Sequence, residues 1–138
     1  MMIKRETDYA LRSLIYLSQN KGRIVDVFEI AKERSIPPTF LAKILQKLKK
    51  RGIVNSVKGK GGGFYLLKNP KDISVLDIIE IMQGPIYLNF CSVNRKKCKF
   101  SNICNMYPLW VNMKKKIEEE LKKINFKNLK KEVKLCQK

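Results

Sequence analysis

The chain has no histidine, and only twelve acidic residues and four cysteines among its 138 residues. Without imidazole there is no commonplace general base and no commonplace nitrogen ligand, so catalysis through a nucleophile–base pair is disfavoured and a metal must be held by other atoms. The shortage of acids is equally informative. Thirty Lys+Arg against twelve Asp+Glu leave a formal net charge of +18. Such an excess favours a polyanionic partner, either nucleic acid or an acidic membrane surface. A generically lysine-rich proteome would explain part of it, since the lysines of 114–123 read as a solvated helix face. Long apolar runs are missing too. None could span a bilayer, and Met1-Met2-Ile3-Lys4-Arg5-Glu6 lacks the apolar core of a signal peptide. The expectation is a cytoplasmic protein with reduced thiols and no membrane partner. At 44% hydrophobic residues the chain has enough apolar mass for a real core.

What is present reads first as helices. Tyr9, Ala10, Leu14 and Leu17 fall at helical spacing over 6–19, and Asn20-Lys21-Gly22 ends that segment. Asp26 opens a second helix over about 27–34, with Glu29 placed to complete a capping box. After the turn Ser35-Ile36-Pro37-Pro38-Thr39, the apolar stripe Phe40, Leu41, Ile44, Leu45 and Leu48 predicts a third helix that ends at Gly52. The period then changes to that of strands. Ile53–Val57 and Phe64–Leu67 flank Lys58-Gly59-Lys60-Gly61-Gly62-Gly63, a hairpin with a basic tip. Ser74 with Asp77 caps a further helix through Met82, stopped by Gly84-Pro85. A long helix starts near Asn105, with Trp110, Met113, Ile117, Leu121 and Ile124 along one face, a stripe expected to pair with a second subunit. The fold class is therefore mainly α with a small β wing, a winged helix-turn-helix followed by a long dimerisation helix. The division is 1–85 for DNA binding, 86–104 for a cysteine loop, 105–124 for dimerisation and 125–138 for a basic tail.

Two motifs carry chemistry. The third helix offers Pro38, Thr39, Lys43, Lys47 and Lys50 away from its stripe; in a helix-turn-helix the first of these positions read base edges and the later lysines hold phosphates. The tip Lys58, Gly59, Lys60, Gly61 suits a minor groove, and its four glycines exceed what a turn needs. It is no nucleotide P-loop, because no Gly-Lys-Ser/Thr opens a helix after it. The second motif is Cys91, Cys98 and Cys104, spaced C-x6-C-x5-C among Arg95, Lys96, Lys97 and Lys99. That is not the composition of a core, and basic neighbours favour thiolates, which bind iron. An iron–sulfur cluster is the leading reading. Zinc is its rival, although six- and five-residue gaps are loose for a zinc knuckle; a bare thiol redox switch is the third. Cys136 reads as a lone small hydrophobe. The fourth ligand stays open among a carboxylate, Cys136, Tyr107 and a small molecule.

Taken together, Thr7–Arg12, Ile36–Leu45, Gly52–Phe64 and the three cysteines resemble the winged-helix iron–sulfur regulators that include IscR and NsrR. The likeness spans nearly the whole chain. It implies a homodimer on double-stranded DNA with a partly palindromic operator, and an iron–sulfur cluster, 4Fe–4S in preference to 2Fe–2S, on Cys91, Cys98 and Cys104. The first gap is one residue longer than is usual in that family. IscR-type members have a histidine three residues after the third cysteine, where this chain has Tyr107. NsrR-type members use an aspartate from the partner's first helix, and Asp8 occupies the matching position. Lys58 stands where many members have a wing arginine, and Ala42 where IscR has a glutamate facing the major groove. The function expected is a transcription regulator, a repressor, that senses nitric oxide, redox state or iron–sulfur status and is not an enzyme. A clusterless thiol or metabolite sensor on the same fold is the alternative.

Overall fold

Apolar residues at helical spacing build the first three helices of the computed structural model, which describes residues 2–129. They are α1 (Arg5–Gln19), α2 (Val27–Arg34) and α3 (Pro38–Lys50). Ala10, Leu14 and Leu17 of α1, Ile30 of α2, and Leu41, Ile44, Leu45 and Leu48 of α3 are each at most 1% exposed and form one core. Phe40 does not join them. Although the sequence counts it in the stripe, it is 59% exposed, because it lies at the edge of the arc that faces α1 and α2, one turn before Ile44, where the neighbouring elements leave it uncovered.

Asp26 caps α2 by accepting the Phe28 N–H at 2.8 Å. The expected capping box does not close there. Glu29 turns instead to Arg23 at 2.6 Å and to the Tyr16 hydroxyl at 2.5 Å. After α3 come the antiparallel strands β1 (Val54–Val57) and β2 (Gly63–Leu66), with Val54 opposite Leu66 and Val57 opposite Gly63. Val25 adds a bridge to Phe64, with N–H to O distances of 2.8 Å in both directions, and fixes the wing to the helical body. Ser74 and Asp77 form the full reciprocal box that starts α4 (Val75–Gln83). The expected fold class is the one observed: helices with a small two-stranded wing.

The long helix α5 (Tyr107–Lys123) follows a loop of short turns. Its stripe is used differently from the sequence expectation. Ile117 and Leu121 pack within the same chain, on Val75, Ile79 and Ile86, with Leu11 alongside. Beyond α5 the Ile124 carbonyl accepts the Val75 N–H at 2.9 Å, and the Phe126 N–H donates to Ile73 at 3.2 Å. Phe126 opens α6 (Phe126–Leu129) and is fully buried in the N-terminal core. Burying a side chain of that size contributes about 1.5–3 kcal/mol, which staples the end of α5 to the wing-bearing body. The rest of the expected basic tail, including Cys136, lies outside the described residues.

Candidate DNA-binding face and cysteine loop

With its apolar arc turned inward, α3 leaves Thr39, Lys43, Gln46 and Lys50 exposed on the opposite face. Their steps of four, three and four keep them in line. Pro38 sits at the first helical position, where its missing N–H costs nothing. Lys47, expected on a phosphate, instead donates from Nζ to the Met82 carbonyl at 3.1 Å and so caps α4. Lys49 ties α3 to the wing through the Ser56 hydroxyl at 2.8 Å. Between the start of α2, α3 and the wing lies an open cleft of about 500 Å³, lined by Phe28, Gln46, Lys49, Ser56, Lys58 and Gly59 among others.

The wing glycines all have structural reasons. Gly59 and Gly61 take φ of 91° and 77°. A Cβ on Gly62 would stand 2.1 Å from the Val57 carbonyl oxygen, and one on Gly63 2.2 Å from that of Val25. The expectation that four glycines exceed what the turn needs is thereby corrected. The exposed lysines Lys58 and Lys60 are what remains for a polyanion.

The cysteine loop enters from a well-tied junction. The Gln83 amide oxygen accepts the Lys4 N–H at 2.9 Å and the Thr7 hydroxyl at 2.6 Å, while its nitrogen donates to the Met2 carbonyl at 3.1 Å. Gly84 then takes φ of 87° and the chain departs through Pro85 and buried Ile86. Cys91 lies in a 3-10 turn (Phe90–Ser92), Cys98 closes a second one (Arg95–Lys97), and the Cys104 carbonyl accepts the N–H of Tyr107, the first residue of α5, at 3.4 Å. All three are free thiols, half-buried. Arg95 stacks over Tyr107 at 4.8 Å and Lys97 over Phe90 at 5.3 Å, so these cations rest on rings. No Asp or Glu occurs between positions 81 and 117, so the loop itself offers no carboxylate ligand. Asp8, in the first turn of α1, is half-exposed and paired with Arg12 at 3.1 Å.

Among the described residues, no three Cys, Asp or Glu side chains converge to hold a single metal ion. A cluster makes a different demand, because its thiolates surround a body of several irons instead of a point. Three half-buried soft donors on short turns, with no carboxylate in the loop to recruit a harder ion, fit that group.

A wing beside an exposed helix face, followed by such a loop, agrees with what comparison shows: the model of Rrf2, described as an iron-dependent transcriptional regulator, matches residues 3–132. The chain belongs to the Rrf2 family. A protein of Aquifex aeolicus (strain VF5) named as an HTH-type transcriptional regulator is 40% identical over 131 residues, 94% of this chain and 91% of that protein. NsrR of Bacillus subtilis (strain 168) is 30% identical over 108 residues, 77% and 74% of the two chains. Among solved structures, T. potens IscR superposes with a TM-score of 0.72 at 28% identity, covering 94% of this chain and 85% of that one. CymR, the global cysteine regulator of B. subtilis, shares the fold with a TM-score of 0.77 at 22% identity, over 94% and 96%. This Rrf2 chain is accordingly a DNA-binding transcriptional regulator and not an enzyme. Among the described residues no helix is long and apolar enough to cross a membrane.

Sequence reasoning left out Gln46, Lys49 and Phe28, which line the cleft beside the wing, and the exposed Phe40 at the start of α3. Gln46 was within reach, since it falls three residues after Lys43 on the same face. Lys49 and Phe28 needed the wing's position, which no periodicity supplies.

Proposed function

We propose that this Rrf2 protein is a homodimeric repressor of a palindromic operator, and that Cys91, Cys98 and Cys104 hold an iron–sulfur cluster, 4Fe–4S in preference to 2Fe–2S, through which it responds to nitric oxide, redox state or iron–sulfur status. The observation that carries the reading is the placement of three free thiols on a loop that leaves α4 at the residues bonded to α1 and α3. The 30% identity to NsrR and 28% identity to IscR support it. When bound, a cluster supplies a group whose ligation and charge change with the chemical state of the cell. The chain's own residues do the remaining work. Thr39 and Lys43 face the base edges and backbone of the major groove, and Lys58 and Lys60, on the turn formed with Gly59 and Gly61, reach phosphates beside the minor groove. Asp8 of the partner subunit is the proposed fourth ligand, as the resemblance to NsrR-type regulators implies, and the loop holds no competing acid of its own.

The 86–104 loop thus separates a reader, 1–85, from the dimerisation helix. The surface assigned to the second copy is the apolar patch of Phe100, Ile103, Met106 and Leu109, which are 61%, 81%, 45% and 43% exposed. The clusterless alternative draws on the fold shared with CymR. A gel shift on a duplex from the protein's own upstream region decides between them, using anaerobic protein before and after chelation of iron. The cluster reading expects affinity to change at least about ten-fold, equivalent to about 1.4 kcal/mol. Equal affinity with and without iron, together with a response to thiol oxidation alone, would favour the clusterless sensor.

A further inference from the structure

Phe40 is the third residue of α3 and stands 59% exposed beside Thr39 and Lys43. A large aromatic left in water at the reading end of a recognition helix, on a face otherwise of lysine, threonine and glutamine, has no role in the core described above. Next to it is a cavity of about 260 Å³ lined by Arg5, Glu6, Tyr9, Phe40 and Lys43, which join the start of α1 to α3. The composition of that wall is selective. Arg5 and Lys43 supply cations that suit a backbone phosphate at the rim. Glu6 repels a phosphate from the interior, so the group admitted there is neutral. Two aromatic rings ask for an apolar one. On the major-groove edge of B-DNA, the neutral apolar group is the C5-methyl of thymine.

We propose that Phe40, backed by Tyr9, reads a thymine methyl in each half-site and is a specificity-determining residue of this regulator. The inference rests on the proposed docking of α3 in the major groove. It assigns to Phe40 a base position that hydrogen-bonding side chains cannot distinguish by a methyl.

The test uses duplexes selected by the full-length protein from a randomised pool, with each thymine in turn replaced by deoxyuridine, which removes only the methyl. Wild-type protein is expected to lose about four-fold in affinity at one thymine per half-site, the worth of one buried methyl-sized group. Phe40→Ala should bind the parent duplex more weakly and lose that sensitivity, while Phe40→Leu, still apolar, should keep part of it. Unchanged circular dichroism is expected for both, since the side chain lies outside the core. A wild-type protein that selects a sequence yet ignores every methyl, or a Phe40→Ala variant with undiminished methyl sensitivity, would overturn the assignment and leave the docking intact. A wild-type protein that selects no sequence would overturn the docking, and the assignment with it.

Discussion

Arg23, Tyr16 and Glu29 join the end of α1 to α2 through three hydrogen bonds on one carboxylate, two from the Arg23 guanidinium and one from the Tyr16 hydroxyl. The Arg23 guanidinium first, and the Tyr16 hydroxyl second, hold the Glu29 carboxyl down to about 2 from an ordinary 4.5, and the same hydrogen bond raises the Tyr16 hydroxyl. A depressed carboxyl contributes stability that is present above its unfolded value and lost as pH falls through its folded one. Wild-type protein should therefore lose part of its stability between pH 4.5 and about 2, and Glu29→Gln should show a flatter loss over that window in acid melts. An identical acid profile for the variant would remove the network from the account. This residue also marks how far single positions were legible. Ser74 and Asp77 formed the box their spacing promised, whereas Glu29, with equal spacing from Asp26, was taken by an arginine that packing brought near. Phe40 was misassigned for a related reason: an apolar residue at the edge of a stripe belongs to the core only if a neighbouring element covers it.

At the scale of elements, periodicity located the helices of the reader and the wing within a residue or two, because each has one face against a single shared core. It could not say against what α5 packs. A stripe of Trp110, Met113, Ile117 and Leu121 suits a partner helix in another subunit as well as α4 in the same chain, and α4 took its lower half. Phe126 had even less signal, a single aromatic in a basic stretch. Two substitutions separate the uses of α5. Ile117→Glu places a charge against Val75 and Ile79 at a cost of several kcal/mol, so thermal melts should show a strongly destabilised fold. Leu109→Glu, on the exposed patch, should leave cooperative melting in place while sedimentation shows monomer. Dimer retained by Leu109→Glu, with dissociation of a well-folded Ile117→Glu, would return the interface to the lower half of α5.

For the whole molecule, the charge excess and the fold point to the same partner, and the salt dependence of DNA binding measures their agreement. If a dimer neutralises about eight phosphates, log K should fall against log salt with a slope of roughly −7. Replacing Lys58 and Lys60 together by alanine should weaken binding and flatten that slope, while leaving the hairpin, since the turn depends on its glycines. A slope near zero, or an unaltered slope in the double variant, would place the phosphate contacts elsewhere. The architecture of the reader was legible in the sequence because helix and strand periods are local properties. The use of the cysteine loop was not, because the spacing of Cys91, Cys98 and Cys104 is compatible with a cluster, a zinc ion or a thiol switch.

The proposed cluster is tested most directly by iron, acid-labile sulfide and zinc per chain in protein purified without oxygen, for wild type and for serine variants of each cysteine. The predicted result is iron and sulfide in comparable amounts, lost on replacing Cys91, Cys98 or Cys104 and retained on replacing Cys136. Stoichiometric zinc in place of iron, or metal-free wild-type protein that still responds to its signal, would contradict it.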